Sequence, residues 1–289
     1  MSAAMGVADW RDYDQAALDA QYDNHAASGE AGVAALSRLR DLAAENRAGL
    51  PVRPGIAYGD APGMLLDIYP AEAGAASGPC LVLVHGGGWL RGDAAGSGFW
   101  TRKLAEWGVA HIVVSHGKRP DTTLAEMAGQ VTAAWRFIRR HAHLHGIDPV
   151  RLHLAGISSG ATLAALAALS VQDEAPPASL LLLGGMYDLE PVRRSSRNAA
   201  LALSPADALT LSPLHRAAEL AVLVTVAYGE QETAEFRRQA EAMAARIGSR
   251  ARLLQIAGAN HFSQTEALLD DRTPLSRRLH DLLTQEITP

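Results

Sequence analysis

Cysteine is almost missing from this chain, since Cys80 is the only one in 289 residues. A lone thiol closes no internal disulfide, so a fold held together by its core and a reducing, cytoplasmic setting are expected. A strong charge of either sign is missing too. The formal net charge is −5 and no Lys/Arg run occurs, which argues against nucleic acid or an anionic membrane as partner. No stretch approaches the roughly 18 apolar residues of a membrane span. The opening MSAAMGVADWRDYD carries early acids and no apolar segment, so neither signal peptide nor anchor is expected. Repeats and low-complexity blocks are absent. No HExxH is found, and His141, His143 and His145, although two of them have i, i+4 spacing, lack a cysteine or carboxylate partner. They read as helix-end residues, and no metal or cofactor is expected.

What is present is apolar and periodic. Hydrophobic residues make up 48% of the chain, enough for a sizeable core in one large α/β domain spanning 1–289. Residues from about 12 to 45 read as helical, broken near Ala27-Ser28-Gly29 and stopped by Asn46 and Gly49-Leu50-Pro51. They make residues 1–50 a helical N-terminal extension. Short apolar runs follow at 64–69, 81–84, 111–115, 151–155, 180–183, 220–227 and 252–256. Helical patterns at 123–145, 161–169, 234–247 and 274–283 lie between or after them. Such alternation predicts a mostly parallel central sheet with helices on both faces. Ligands of such sheets lie beyond the carboxyl ends of the strands. The Ala/Leu/Ser/Pro-rich stretch 201–214 lies between two of the runs and places a lid or pocket insertion at about 187–218.

Two of the loops after strands carry chemistry. After the run at 151–155 comes Gly156-Ile157-Ser158-Ser159-Gly160, then a helix. Strand, GxSxG and helix together predict a nucleophile elbow and hence the α/β-hydrolase fold. Ser158 is the nucleophile by its symmetric glycine spacing, which Ser159 lacks. The glycines are required where a side chain would strike the neighbouring strand or helix. After the run at 81–84 comes His85-Gly86-Gly87-Gly88-Trp89. Consecutive glycines there can aim backbone amides at a developing oxyanion, and Gly87, Gly88 and Ser159 are the expected donors. His85 is expected to brace the turn, and with Trp89 and Tyr187 to touch substrate.

The general base must follow the serine in sequence. Only His215, His261 and His280 do so. His261 lies in the loop after the last apolar run and is the expected base. The acid should follow the run at 220–227. Glu232 is preferred there, ahead of a Thr233 cap, with Asp188 as the rival.

These residues also carry a family likeness. The chain resembles the kynurenine formamidase (arylformamidase) branch of the α/β hydrolases, which shares the HGGG turn with hormone-sensitive-lipase-type esterases. The likeness rests on Gln21-Tyr22-Asp23-Asn24, Gly185-Met186-Tyr187-Asp188-Leu189-Glu190-Pro191, Leu211-Ser212-Pro213 and Glu235-Phe236-Arg237-Arg238-Gln239. It implies metal-free hydrolysis of N-formylkynurenine to kynurenine and formate, and an acid just before the last of these segments, in favour of Glu232. Two departures bear on the pocket rim: HGGG where the branch has HGGYW, and GISSGA where it has GHSAGG. The function expected is therefore a serine hydrolase of an aryl formamide or small acyl ester acting through an acyl-enzyme at Ser158. The alternatives are a short-chain carboxylesterase and, behind it, a lyase, cyclase or binding protein on the same scaffold. The expected partner is a small molecule, with a homodimer left open.

Overall fold

The structure is a computed structural model that describes residues 9–71 and 77–285. Strands β1 (Arg53–Ala57), β2 (Leu65–Tyr69), β3 (Gly78–Val84), β4 (Ala110–Val114), β5 (Ile147–Ile157), β6 (Ser179–Leu183), β7 (Leu223–Gly229) and β8 (Ala251–Ile256) form one sheet. Their order is β1-β2-β4-β3-β5-β6-β7-β8. The β1–β2 and β2–β4 pairs are antiparallel, and from β4 to β8 every pair is parallel. The helices are α1 (Gln15–Tyr22), α2 (Asn24–Gly49), α3 (Thr101–Glu106), α4 (Leu124–His141), α5 (Ser159–Val171), α6 (Leu189–Arg194), α7 (Asn198–Leu201), α8 (Pro205–Thr210), α9 (Ala234–Ile247) and α10 (Pro274–Thr284).

Side-chain alternation along β3 divides the core in two. Cys80, Val82 and Val84 enter a large cluster with residues of α4, α5 and α9, while Leu81 and Leu83 face a second cluster with Trp100, Leu104 and the α10 leucines. A strand buried on both faces needs an apolar residue at every position, which is why these runs show no polar alternation. Helix α4 starts at a capping box between Thr123 and Glu126 and buries Leu124, Met127, Val131, Trp135 and Ile138, an i, i+3, i+4 stripe. Helix α5 is buried on all sides except at Ser170, and its alanines allow close approach to the sheet.

The strand order places the chemistry. The chain leaves β3 for β4 on one side and returns to β5 on the other. The loops that follow β3 and β5 therefore diverge, and the crevice between them is the ligand position of doubly wound sheets. Strand β1 was not anticipated. Its Arg53-Pro54-Gly55 start lacks strand-forming residues, and it pairs at the sheet edge with a register irregularity between Arg53 and Ile56. The expected break near residue 29 is a kink at Gly29 (φ 52°, ψ −150°) inside α2, and a further break separates α1 from α2 at Asp23.

Candidate active site

Ser158 sits between β5 and α5 with φ 54° and ψ −124°, a conformation that a non-glycine residue holds only under constraint from its surroundings. The constraints are visible. Its amide donates to the Leu183 carbonyl of β6 at 2.8 Å. A Cβ on Gly156 would stand 2.4 Å from the Gly160 carbonyl oxygen, and one on Gly160 would stand 2.3 Å from the carbonyl oxygens of Val84 and His85. The flanking glycines are thus the condition for the sharp turn that raises the hydroxyl above the sheet.

From Ser158 a hydrogen-bonded chain runs inward. Ser158 Oγ lies 2.9 Å from His261 Nε2, and His261 Nδ1 lies 2.5 Å from Glu232 Oε1. The other carboxylate oxygen, Oε2, accepts from the Gly229 amide at 3.0 Å. That bond fixes the longer glutamate arm by folding it back on the end of β7. With the carboxylate on Nδ1, that nitrogen carries the proton and Nε2 is left to accept from the hydroxyl. His261 is boxed edge-on by Phe236 and Phe262, at ring-centroid distances of 4.7 and 5.3 Å. Gln264 Nε2 donates to the His261 carbonyl at 2.9 Å. Glu232 and His261 are both buried, so a charge that develops on the ring faces its counter-charge with little water to screen it.

The glycine turn stands over this chain. Gly87, Gly88 and Trp89 all have positive φ (126°, 64° and 63°). Trp89 holds that conformation with its indole buried and its Nε1 donating to the Ser159 carbonyl at 3.0 Å. The Gly87 and Ser159 amides have no acceptor among the described residues. The Gly88 amide differs from what the sequence suggested, because it donates to Ser159 Oγ at 2.9 Å. The second serine of the elbow thereby ties the glycine turn to the start of α5. His85 turns Nδ1 to the Gly86 carbonyl at 2.7 Å and stacks on His116 at a centroid distance of 4.6 Å. Both rings are buried, and burial holds both pKa values below the ordinary imidazole range.

A cavity of about 340 Å³ opens beside Ser158 and His261. Its far wall comes from the α1–α2 junction, with Tyr22, Asn24 and His25, and from Leu36, Leu39 and Arg40 of α2. This corrects the expected lid. The insertion at 187–218 packs largely into the core through Leu189, Val192, Leu201 and Ala208, and it contributes Arg197 alone to the wall. Gly32 explains how α2 comes so close, because a Cβ there would meet the Phe262 ring at 2.9 Å.

Other expectations need correction. Trp89 and Tyr187 do not line the cavity. Both are buried, Trp89 beneath the turn and Tyr187 behind Gly185, so neither ring is placed to touch a substrate there. Of the three proposed contacts only His85 reaches the wall. Thr233 precedes α9 but does not cap it, since its hydroxyl donates to the Gln21 carbonyl at 2.7 Å. Asp188 lies away from His261. It caps α6 through the Glu190 amide at 3.2 Å and stands 3.7 Å from Arg238. Glu235 lies in the first turn of α9 and is fully buried there against Arg238 and Tyr22. His141 and His145 face the Phe137 carbonyl and Arg53. Sequence reasoning missed Asn24 and Arg197 as pocket residues. Asn24 falls inside the quoted family segment and could have been found there, whereas nothing local marks Arg197.

Comparison with known proteins agrees with this frame. Residues 66–195 match the family model BD-FAE. Kynurenine formamidase of Danio rerio is 26% identical over 94% of this chain and 98% of its own length. That of Salmo salar is 28% identical over 78% of this chain and 79% of its own. Among solved structures, a Silicibacter protein described as a thioesterase superposes with a TM-score of 0.80 at 24% identity, covering 93% of this chain and 99% of that one. The hyperthermophilic esterase of Pyrobaculum calidifontis gives 0.66 at 19% identity, covering 91% and 93%.

Fold and relatives together define a serine hydrolase of the α/β-hydrolase superfamily, acting on amide or ester bonds. Within that superfamily the chain is similar to the kynurenine formamidases over most of its length.

Proposed function

We propose that the protein cleaves an aryl formamide of the N-formylkynurenine kind, or a small acyl ester, through an acyl-enzyme at Ser158. The observation that carries this reading is the continuous chain Ser158–His261–Glu232 opening onto a walled cavity. Ser158 Oγ attacks the carbonyl carbon while its proton passes to His261 Nε2. Glu232 holds the tautomer and balances the imidazolium without taking the proton. The carbonyl π-pair moves onto oxygen, where the Gly87 and Ser159 amides donate to it. Gly88 adds a third donor only if Ser159 Oγ releases it. Collapse re-forms the carbonyl and breaks the C–N or C–O bond, and His261 returns the proton to the leaving nitrogen or oxygen. Water then attacks the acyl-serine with His261 again taking a proton, which it returns to Ser158 as the acid departs.

Similarity to the kynurenine formamidases supports the formamide over the ester. A cytoplasmic setting is in keeping with Cys80 lying buried and free in β3. The test is kcat/KM for N-formylkynurenine beside short p-nitrophenyl esters, together with organophosphate labelling. The formamide is expected to win, and Ser158→Ala is expected to end both turnover and labelling. Preference for the esters moves the assignment to a carboxylesterase, and labelling of the alanine variant refutes Ser158.

A further inference from the structure

Arg197, just before α7, enters the cavity from the side of the glycine turn. Its Nη1 donates to the Tyr22 carbonyl at 2.9 Å. Its Nη2 lies against Gly88, where a Cβ would stand 2.4 Å from it. The fourth residue of the HGGG turn is therefore a glycine whose missing side chain admits a guanidinium beside the candidate oxyanion donors.

That guanidinium has donors to spare. Of its five N–H groups, those on Nη1 alone meet an acceptor among the described residues. Among the described residues no carboxylate comes within 4.0 Å of Arg197, nor of Arg91 or Arg40 on the same wall. Asp23, the acid of the wall, accepts through Oδ1 from the Ala26 amide at the start of α2. Arg197 is half-buried, and burial, with Arg91 as the next cause, pushes its pKa below the usual guanidinium range. Asp23 attracts it from a distance without pairing with it, and a partly buried cation with no direct ion pair costs stability that a bound anion would return. A planar fork of donors is matched by a carboxylate.

We propose that Arg197, assisted by Arg91, is a carboxylate subsite of the reaction pocket, so that the preferred substrate carries an acidic group near the scissile carbonyl. This rests on the reading that Ser158 attacks in this cavity, and it narrows the substrate class to aryl formamides and acyl esters that carry a carboxylate. Neutral esters of the same size become poorer substrates.

The experiment compares the 2-, 3- and 4-formamidobenzoates with neutral formanilide. In the native protein the best acidic isomer is expected to exceed formanilide in kcat/KM. Arg197→Gln is expected to lower that ratio about 10- to 100-fold, mainly through KM, as the loss of a charge-assisted hydrogen bond implies. Arg197→Lys should retain part of the ratio, because charge survives and the fork does not. A ratio unchanged in Arg197→Gln, with both rates falling together, makes Arg197 a mere tie to Tyr22 and overturns the proposal. So does a native preference for formanilide. Calorimetric binding of the best isomer to Ser158→Ala, tighter than formanilide and weakened by salt, reports the subsite independently of turnover. Equal binding of the two overturns the proposal even if Ser158 proves catalytic. Failure of the native protein to hydrolyse any of these compounds or p-nitrophenyl acetate instead refutes the hydrolytic reading. Should Arg197→Gln fail to fold, Arg91→Gln, at an exposed position, is expected to lower the same ratio by a smaller factor, and no change in it overturns the role of the pair.

Discussion

Gly160 and His85 touch through the backbone: a Cβ at 160 would stand 2.3 Å from the His85 carbonyl oxygen. The elbow after β5 and the glycine turn after β3 are therefore one packed unit, and the space for a methyl group does not exist between them. Gly160→Ala must push the two turns apart. Overpacking of this kind costs about 1–3 kcal/mol. The urea midpoint is expected to fall accordingly, with activity falling further because the donors move away from Ser158. A variant of native stability and rate would contradict the contact.

The acid can be tested by contrast. Glu232→Gln keeps the shape but loses the charge facing His261 Nδ1, and kcat is expected to fall about 10³- to 10⁴-fold at nearly unchanged stability. Glu230→Gln touches only the Gly258 amide and should leave kcat close to native. Asp188→Asn keeps an acceptor for the Glu190 amide at the cap of α6 and should lower kcat far less than Glu232→Gln does. A larger kcat loss in Asp188→Asn than in Glu232→Gln would transfer the role.

Ser159→Ala removes the hydroxyl that accepts from Gly88. Covalent labelling at Ser158 should persist, and kcat/KM should shift by no more than about tenfold, the scale of one neutral hydrogen bond. Loss of labelling in this variant would make Ser159 the nucleophile.

Acid should unfold the protein through its buried rings. Burial lowers the pKa of His111 and His116 to about 3 and that of His153 to about 4. Once pH drops below about 6.5 the unfolded chain binds protons at these rings, while the folded chain does not until about 3 to 4. Stability is therefore complete above that range and falls as pH descends through it, on the order of 1.4 kcal/mol per pH unit for each ring. Urea midpoints at pH 7, 6 and 5 should decline with steepening slope, and His116→Gln should shallow the decline. A flat profile would show that these rings take up protons in the folded state.

The sheet was legible because its strands are buried on both faces and must be apolar throughout, as in Leu81–Val84 and Leu180–Leu183. The meeting of Ser158, His261 and Glu232 was legible because each follows such a run, where ligands of this kind of sheet lie. Strand β1 was not, since an edge strand beginning Arg53-Pro54-Gly55 needs only one partner and little apolar patterning. The pocket wall was not legible either. Tyr22 meets Glu235 at 3.2 Å across 213 residues, and no local pattern encodes such a pairing. The use of the Gly88 amide by Ser159 is likewise a matter of side-chain rotation that composition and spacing do not carry.

The wall built by α1 and α2 also has a meaning in time. During synthesis these helices leave the ribosome about 200 residues ahead of the surfaces they dock on, Glu235 in α9 and Phe262 beside His261. Contacts of such long range pay their loop-closure cost before they return any stability. A nascent chain that already contains the Ser158 elbow therefore has no enclosed pocket and no His261 beside its serine. The cavity is enclosed late, when α1 and α2 meet the segments around Glu235 and Phe262.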